Sequence, residues 1–363
     1  MTATDAGTSV GLRSERGPVL VAIMLATSLV ALDSTIIATA VLSITDQLGG
    51  FAQFPWLFSI YLLAQAVTVP IYGKLADTVG RKPIMLFGIA VFAFGSLLCG
   101  LATSMIALIV FRAVQGIGAG AVAPMSITIA GDIYTVAERA KVQAYLAGVW
   151  AASSVLGPLL GGLFSEYVSW RWIFLINLPL SAVAGWMVWR KFTESAPRQR
   201  HRIDYLGAVL LTLGAGALIL GLLEGGHAWA WNAPESLALF GGGLVLLVAF
   251  GFVERRAENP MLPLWVLTRR VLVASSLVSL LVGAILLGLT SYVPTFAQGV
   301  LGTSALVAGL TVGALTLGWP LSASQAGNVY LRIGFRATSV IGSVLGAVGA
   351  LSLLFVNENS TLL

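Results

Sequence analysis

The sequence predicts an all-α, multi-pass membrane protein. Hydrophobic residues make up 58% of the chain, charged residues only 10%, and the apolar residues gather into long runs separated by short polar stretches. A soluble domain carries charge on about 25% of its positions. With so few charges, a chain of 363 residues cannot cover a compact core with a water-facing surface. The runs are roughly 20 residues long, enough to cross a hydrocarbon core of about 30 Å as helix. Helix is the expected conformation because lipid offers no partner to an unpaired backbone N–H or C=O.

Eleven such spans lie near 18–42, 54–73, 83–103, 106–130, 142–164, 172–190, 205–223, 236–253, 272–292, 303–323 and 338–356. Alternating them through a bilayer sorts the basic residues. Arg13 and Arg16 precede the first span, Lys74, Arg81 and Lys82 follow the second, and Arg139 and Lys141 follow the fourth. Arg190, Lys191, Arg198, Arg200 and Arg202 follow the sixth; Arg255, Arg256, Arg269 and Arg270 follow the eighth; Arg332 and Arg336 follow the tenth. All of these fall on one side, and the opposite loops hold only Arg171. That asymmetry is expected to place the N-terminus in the cytoplasm; the excess of Arg over Lys points to a bacterial genome, so a bacterial inner membrane is the expected location. The net charge of +5 is therefore read as topology, with the run around His201 anchored near lipid headgroups, and no nucleic-acid partner is expected.

Cys99 is the sole cysteine, which excludes an intrachain disulfide and a cysteine metal cluster; His201 and His227 fall in loops, and no metal site is expected. Ala38-Thr-Ala40 imitates a signal-peptide cleavage site, but the preceding run exceeds a typical signal core, so the first span is expected to remain. There is no HExxH, no GxSxG in a strand-to-helix context and no GxxxxGK(S/T) phosphate loop. No enzyme activity, cofactor or ATP-driven cycle is expected, which leaves an ion gradient as the energy source.

An internal repeat is visible. Gly73-Lys-Leu-Ala-Asp77-Thr-Val-Gly80-Arg81-Lys82 follows the second span, and Gly327-Asn-Val-Tyr-Leu-Arg332-Ile-Gly334-Phe-Arg336 follows the tenth. Each has two glycines seven apart and a basic residue two places after the second. Duplicated halves are common in transporters. The expected organisation is a cytoplasmic tail 1–17, a six-helix bundle 18–191, a linker with two inserted helices 192–256, and a partial second bundle of three helices 257–363. Three further helices would complete that second bundle, so a truncated frame is expected.

The Gly73–Lys82 stretch resembles the loop signature of the major facilitator superfamily. Its glycines are expected to permit a tight reversal, and Asp77 can pair with Arg81 one helical turn later. The resemblance implies a gating loop made of Gly73, Asp77, Gly80, Arg81 and Lys82. Ile109-Val-Phe-Arg112-Ala-Val-Gln115-Gly116-Ile-Gly118-Ala-Gly120 is similar to the family's fourth-helix motif. Gly148 through Gly162, with Gly157, Pro158, Gly161 and Gly162, is similar to the fifth-helix motif associated with antiporters. Glycines four apart share one helix face and allow close helix contact, as in Gly116 with Gly120 and Gly157 with Gly161; tight packing alone is the competing role. Leu32-Asp33-Ser-Thr35-Ile-Ile-Ala-Thr39 and Trp170-Arg171-Trp172-Ile-Phe174-Leu-Ile-Asn177-Leu-Pro179 resemble the fourteen-helix drug:proton antiporter family. The chain departs from it at Leu42, where a proline usually closes the first-helix motif.

Asp33 and Arg112 are ionisable residues inside spans, where an unpaired charge costs several kcal/mol. One reading makes Asp33 the proton carrier and Arg112 its modulator; the other makes them a static pair. Tyr61, Gln65, Gln115, Trp150 and Asn177 are candidates to line a substrate cavity, with packing or an interfacial location as the alternative. Glu224, at the end of the seventh span, is expected to be solvated. The function implied by the resemblance is proton-coupled export of hydrophobic or cationic drug-like compounds, with the lipid bilayer, protons and such substrates as partners. Export of a lipid, siderophore or peptide, a non-transporting fragment, and a periplasmic adaptor stay open at this point.

Overall fold

The computed structural model describes residues 11–194, 204–226, 228–258, 260, 262 and 264–352. His201, His227, Arg198, Arg200, Arg202 and the C-terminal 357–363 lie outside the described residues. Among the described residues there is no strand, only an isolated bridge between Gly225 and Trp229. Helix α1 runs Gly17–Ile36, passes through a 3-10 turn at Ile37–Thr39, and continues as α2, Val41–Leu48. Then come α3 (Phe54–Val79), α4 (Arg81–Gly100), α5 (Met105–Ile133), α6 (Val136–Tyr167), the short α7 (Trp172–Leu175) and α8 (Asn177–Lys191). The rest is α9 (Tyr205–Glu224), α10 (Pro234–Arg256), α11 (Arg270–Gly299) and α12 (Ala305–Ser352), the last broken at Gly334.

Nine helices among the described residues are long and apolar enough to cross a membrane, with mean hydropathy of their best windows from 1.5 to 2.5. Two shorter apolar helices, Ala305–Ala314 and Arg336–Ser352, fall in the two remaining predicted spans. The protein is a multi-pass membrane protein. Several helices outrun the predicted spans, because a helix need not stop where the hydrocarbon does. α5 starts at a Ser104 cap whose hydroxyl accepts from Ala107 N at 3.2 Å. α6 starts at a reciprocal cap: Thr135 N donates to Glu138 at 2.8 Å and Glu138 N to the Thr135 hydroxyl at 3.4 Å.

The stretch expected to be a loop, Gly73–Lys82, is almost entirely helix. α3 continues to Val79 and α4 begins at Arg81, so the connection is Gly80 alone, at φ 118° and ψ 155°. Gly73 is an interior helical residue with open space where a Cβ would stand. The physical reason is that extending α3 satisfies its own backbone, and one glycine at positive φ makes the reversal. The repeat behaves the same way: Gly334, at φ 83° and ψ 160°, interrupts α12. The two stretches that match in sequence therefore also match in backbone.

The chain forms two compact units, built from the described residues of Met1–Val30, Gly50–Leu146 and Phe174–Thr268, and of Ala31–Gly49, Ala147–Ile173 and Arg269–Leu363. In the first, Leu20, Ile23, Met85, Phe92, Val122 and Met125 are core residues exposed by 1% or less. Glycines set its packing. A Cβ on Gly116 would meet the Tyr61 backbone at 3.0 Å and one on Gly120 the Gln65 carbonyl at 2.9 Å, so this glycine face of α5 presses on α3. Gly118, one step round, lies against the α4 backbone at Phe92. Outward-facing apolar residues such as Leu101 (63% exposed) and Ile106 (73%) would be a liability in water; in lipid their surroundings are as apolar as they are.

Alanine substitution should separate the two signature glycines. Gly80→Ala should cost about 1–3 kcal/mol, since a side chain is strained at that φ and ψ, whereas Gly73→Ala should be neutral or stabilise by up to about 1 kcal/mol. Thermal melting of the purified variants in detergent checks both, and equal behaviour would contradict the single-residue reversal.

Candidate functional site

The first unit contains two polar clusters built on predicted residues. Around Gly80, the Arg81 guanidinium lies 3.0 Å from Asp77 and 3.1 Å from Asp132, and donates to the Ala76 carbonyl at 3.2 Å. The turn-spaced partnership of Asp77 and Arg81 is thus present, with Asp132 at the end of α5 as a second carboxylate. Arg81 N, the first free donor of α4, gives its hydrogen to Glu194 at 2.6 Å. The Glu194 carboxylate stands where a Gly80 side chain would be, with its Oε1 2.8 Å from the absent Cβ. Lys82 is half-buried at the same helix start. Sequence reading missed Asp132 and Glu194. Their available signal was acidic residues standing out at helix ends, Glu194 within a strongly basic connection.

At the same unit's other charged corner, Arg16 holds Glu138 at 3.0 Å, donates to the Ile133 carbonyl at 2.8 Å and covers the Tyr134 ring at 5.1 Å. Burial raises the Tyr134 phenol above its usual range, with the Arg16 cation acting to lower it and Glu138 to raise it. This clamp ties the start of α1 to the α5–α6 connection.

The second cluster surrounds Arg112, 1% exposed in the middle of α5. Its guanidinium donates to the Leu57 carbonyl at 3.0 Å and to Gln115 Oε1 at 2.8 Å, and lies 4.1 Å from the Tyr61 ring centroid and 6.0 Å from that of Phe174. Gln115 Nε2 donates in turn to the Ser96 hydroxyl at 2.6 Å, and Asn177 Nδ2 reaches the same oxygen at 3.2 Å. Two aromatic faces, a carbonyl and an amide oxygen are among the partners that spread this charge in an apolar interior.

That arrangement gives three of the cavity candidates the alternative role, packing. Tyr61, Gln115 and Asn177 are exposed by 1% or less, and they pack around Arg112 instead of lining open space. A buried cation needs its donors satisfied: Gln115 accepts one, the Tyr61 ring covers the guanidinium, and Asn177 joins the network through Ser96. Gln65 is half-buried on α3, and Trp150 is 42% exposed on α6. An apolar groove of about 370 Å³ in this unit, lined by Ser59, Leu62, Leu63, Leu211, Ala215 and Ile219, contains none of the candidates. Glu224 is corrected: it is half-buried and accepts from the Trp56 indole N–H at 2.7 Å, joining the ends of α9 and α3.

The second unit contains Asp33 and the glycine-rich part of α6. Asp33 is 1% exposed in α1, within a span whose best window has mean hydropathy 2.1. The α6 glycines meet α1 and its 3-10 turn directly. A Cβ on Gly157 would stand 2.9 Å from Thr35 Cβ, and one on Gly161 would collide with the Ile36 carbonyl. Hydrogen bonds seal the same seam: Thr35 Oγ1 donates to the Ser153 carbonyl at 3.0 Å and Thr39 Oγ1 to the Pro158 carbonyl at 3.3 Å. Gly162 faces α12 instead, its absent Cβ 2.9 Å from Leu306 Cα, and Gly148 faces open space. The helix breaks at Ile37–Thr39 although Leu42 stands where the related motif has proline.

The family model described as Major Facilitator Superfamily matches residues 23–363. The chain belongs to the Major Facilitator Superfamily. Multidrug resistance protein 3 of Bacillus subtilis (strain 168) is 36% identical over 335 residues, covering 92% of this chain and 65% of that protein. Multidrug transporter protein MdtP of the same organism is 33% identical over 343 residues, covering 94% of this chain and 63% of that protein. The chain therefore spans a little under two thirds of the length of these relatives. Among solved structures, the POT family transporter PepTSo superposes with a TM-score of 0.60 over 87% of this chain and 70% of that chain, at 14% identity, a likeness of fold. Within this superfamily member, the signature loop, the Arg112 cluster and the α6 glycine seam are each assembled around residues predicted from the sequence.

Two substitution tests follow. Gly161→Ala should lower the melting temperature clearly, because its new methyl collides with backbone, while Gly148→Ala should leave it unchanged or raised. Arg112→Lys should cost about 1.5–3 kcal/mol for each charged hydrogen bond it loses, because an ammonium cannot reproduce the planar fork and the ring stacking. Melting curves of the purified variants report both, and an unchanged Arg112→Lys protein would contradict the network.

Proposed function

We propose that this superfamily member exports hydrophobic or cationic drug-like molecules across a bacterial cell membrane in exchange for protons. The observation that carries the reading is Asp33, a carboxylate 1% exposed inside a membrane helix. A carboxylate inside a membrane helix marks a functional site by default, and exchange of a proton there can be tied to a change of access. The printed names of the two Bacillus relatives support the substrate class, and their identity to this chain supports carrying it over.

In this mechanism Asp33 takes up a proton from one side and releases it to the other as access alternates. Arg112 is the fixed cation whose field modulates that exchange. The cluster of Gly73, Asp77, Gly80, Arg81 and Lys82 opens and closes the cytoplasmic route. The α6 residues Gly157, Pro158, Gly161 and Gly162 form the seam along which the helices shift, and Gly148 extends the same motif on a face that is open. Residues 18–191 act as one six-helix bundle, 192–256 as a two-helix insertion and 257–363 as part of a second bundle.

Dye efflux from energised cells expressing this chain should collapse when a protonophore is added. Asp33→Asn should insert normally and lose nearly all protonophore-sensitive efflux. Full proton-coupled efflux from that variant would remove Asp33 from the mechanism, and no efflux from the correctly inserted parent would overturn the export reading itself.

A further inference from the structure

The second unit brings together segments from opposite ends of the chain. One pair of segments, 31–49 and 147–173, precedes the two inserted helices in sequence; the other, α11 and α12, follows them. Glu166, an exposed residue at the end of α6, accepts from Leu306 N at 3.0 Å, in the first turn of α12. Gln298, near the end of α11, donates its side-chain amide to the Thr39 carbonyl at 3.2 Å. Between these two bonds the surfaces are glycine. Gly162 lies against Ala305 and Leu306, and a Cβ on Gly309 would stand 3.0 Å from the Pro158 carbonyl carbon. Thr39 itself reaches Pro158, so the contacts form a closed ring through α11, the 3-10 turn, α6 and α12.

The Glu166 bond is not what makes α12 a helix. Ser304 already caps that first turn from within, its hydroxyl accepting from Val307 N at 3.4 Å. Glu166 adds a carboxylate from another helix to a helix start that already has its own cap. Its distinct consequence is to tie the early segments to the late ones by a bond that water can replace when broken. The Gln298 bond has the same character, a neutral amide on a backbone carbonyl. In the same unit Ile37, Ala297, Ala308 and Val312 are exposed by 1% or less, so the glycines sit among packed side chains. Polar bonds at the end of a packed helix contact can break and re-form as the helices move against one another.

We infer that Glu166 and Gln298 are positioning residues that hold this seam shut, forming the outer gate of the transporter. The inference rests on the proposed export by alternating access and adds the residues that keep one side closed. The loop after Glu166 lies on the side that the basic-residue asymmetry assigns to the exterior. Outward release of substrate then requires the Glu166–Leu306 and Gln298–Thr39 bonds to break, and their re-formation returns the protein to the closed arrangement.

The chain suits a thiol-accessibility test, because its one cysteine, Cys99, is fully buried. Ile37, 0% exposed in the 3-10 turn, provides a reporter in the seam through Ile37→Cys. Leu108, also 0% exposed but in the first unit, provides a reference through Leu108→Cys. Cells carrying either reporter are treated from outside with a membrane-impermeant thiol reagent. Adding Glu166→Ala should raise the labelling rate at Ile37→Cys by about threefold to tenfold, since Glu166 bonds both the Leu306 N–H and the Ser304 hydroxyl. Gln298→Ala should act in the same direction, Glu166→Asp should fall back toward the parent rate, and labelling at Leu108→Cys should not change. An unchanged rate at Ile37→Cys in the Glu166→Ala, Gln298→Ala double variant would overturn the gate. So would an equal rise at both reporters, which would mean general loosening. The labelling readout needs no transported substrate, so failure of the export reading appears separately, as absence of protonophore-sensitive efflux from the parent.

Discussion

Lipid offers the backbone no hydrogen-bond partner, and every feature of this chain is arranged around that fact. Where the sequence is apolar it must be helix, so helices carry little information about function. Information sits where a helix is interrupted. There are three such places in the described residues discussed above: Gly80, Gly334 and the 3-10 turn Ile37–Thr39. Each interruption frees backbone groups or exposes a helix start, and at Gly80 and the 3-10 turn these are met by side chains from elsewhere. Glu194 takes the free donor of Arg81, and Thr39 lends its carbonyl to Gln298.

The same solvent explains two different ways of handling a cation. Near a helix start, Arg81 is shared between Asp77 and Asp132, side chains that remain 42% and 34% exposed, so the pairs are cheap to form and cheap to exchange. Inside the first unit, Arg112 is held by a carbonyl, an amide oxygen and two aromatic rings, each fixed by its own packing. The first arrangement suits a part that changes partners. The second suits one that stays in place, and its cost of burial is met by recruiting Gln115, Ser96 and Asn177 into one network.

Glycine supplies the third ingredient. Membrane helices gain no hydrophobic drive from touching each other, so close backbone approach has to replace it. Gly116 and Gly120 bring α5 onto α3, Gly118 brings it onto α4, and Gly157 and Gly161 bring α6 onto the end of α1. The spacing of four was readable in the sequence, and so was the shared face. The partner of each face was not, because a glycine pair carries no label for the helix it will meet. Gly73 and Gly148 show the converse: both belong to glycine-bearing motifs, and both face open space.

By itself the sequence determined that this is a membrane-spanning helical protein, where its apolar helices lie, and that Asp33 and Arg112 are ionisable residues within spans. Those properties follow from composition and order along one dimension, since a span of apolar residues has only one way to satisfy its backbone in lipid. Only the tertiary structure decided that the signature stretch is helix broken by a single glycine, that Tyr61, Gln115 and Asn177 serve Arg112, that Glu224 meets Trp56, and that Glu166 reaches α12. Each of those depends on which helix faces which. In lipid that choice is made by the fit of small residues and a few polar bonds, contacts between residues far apart in the chain that no local pattern encodes.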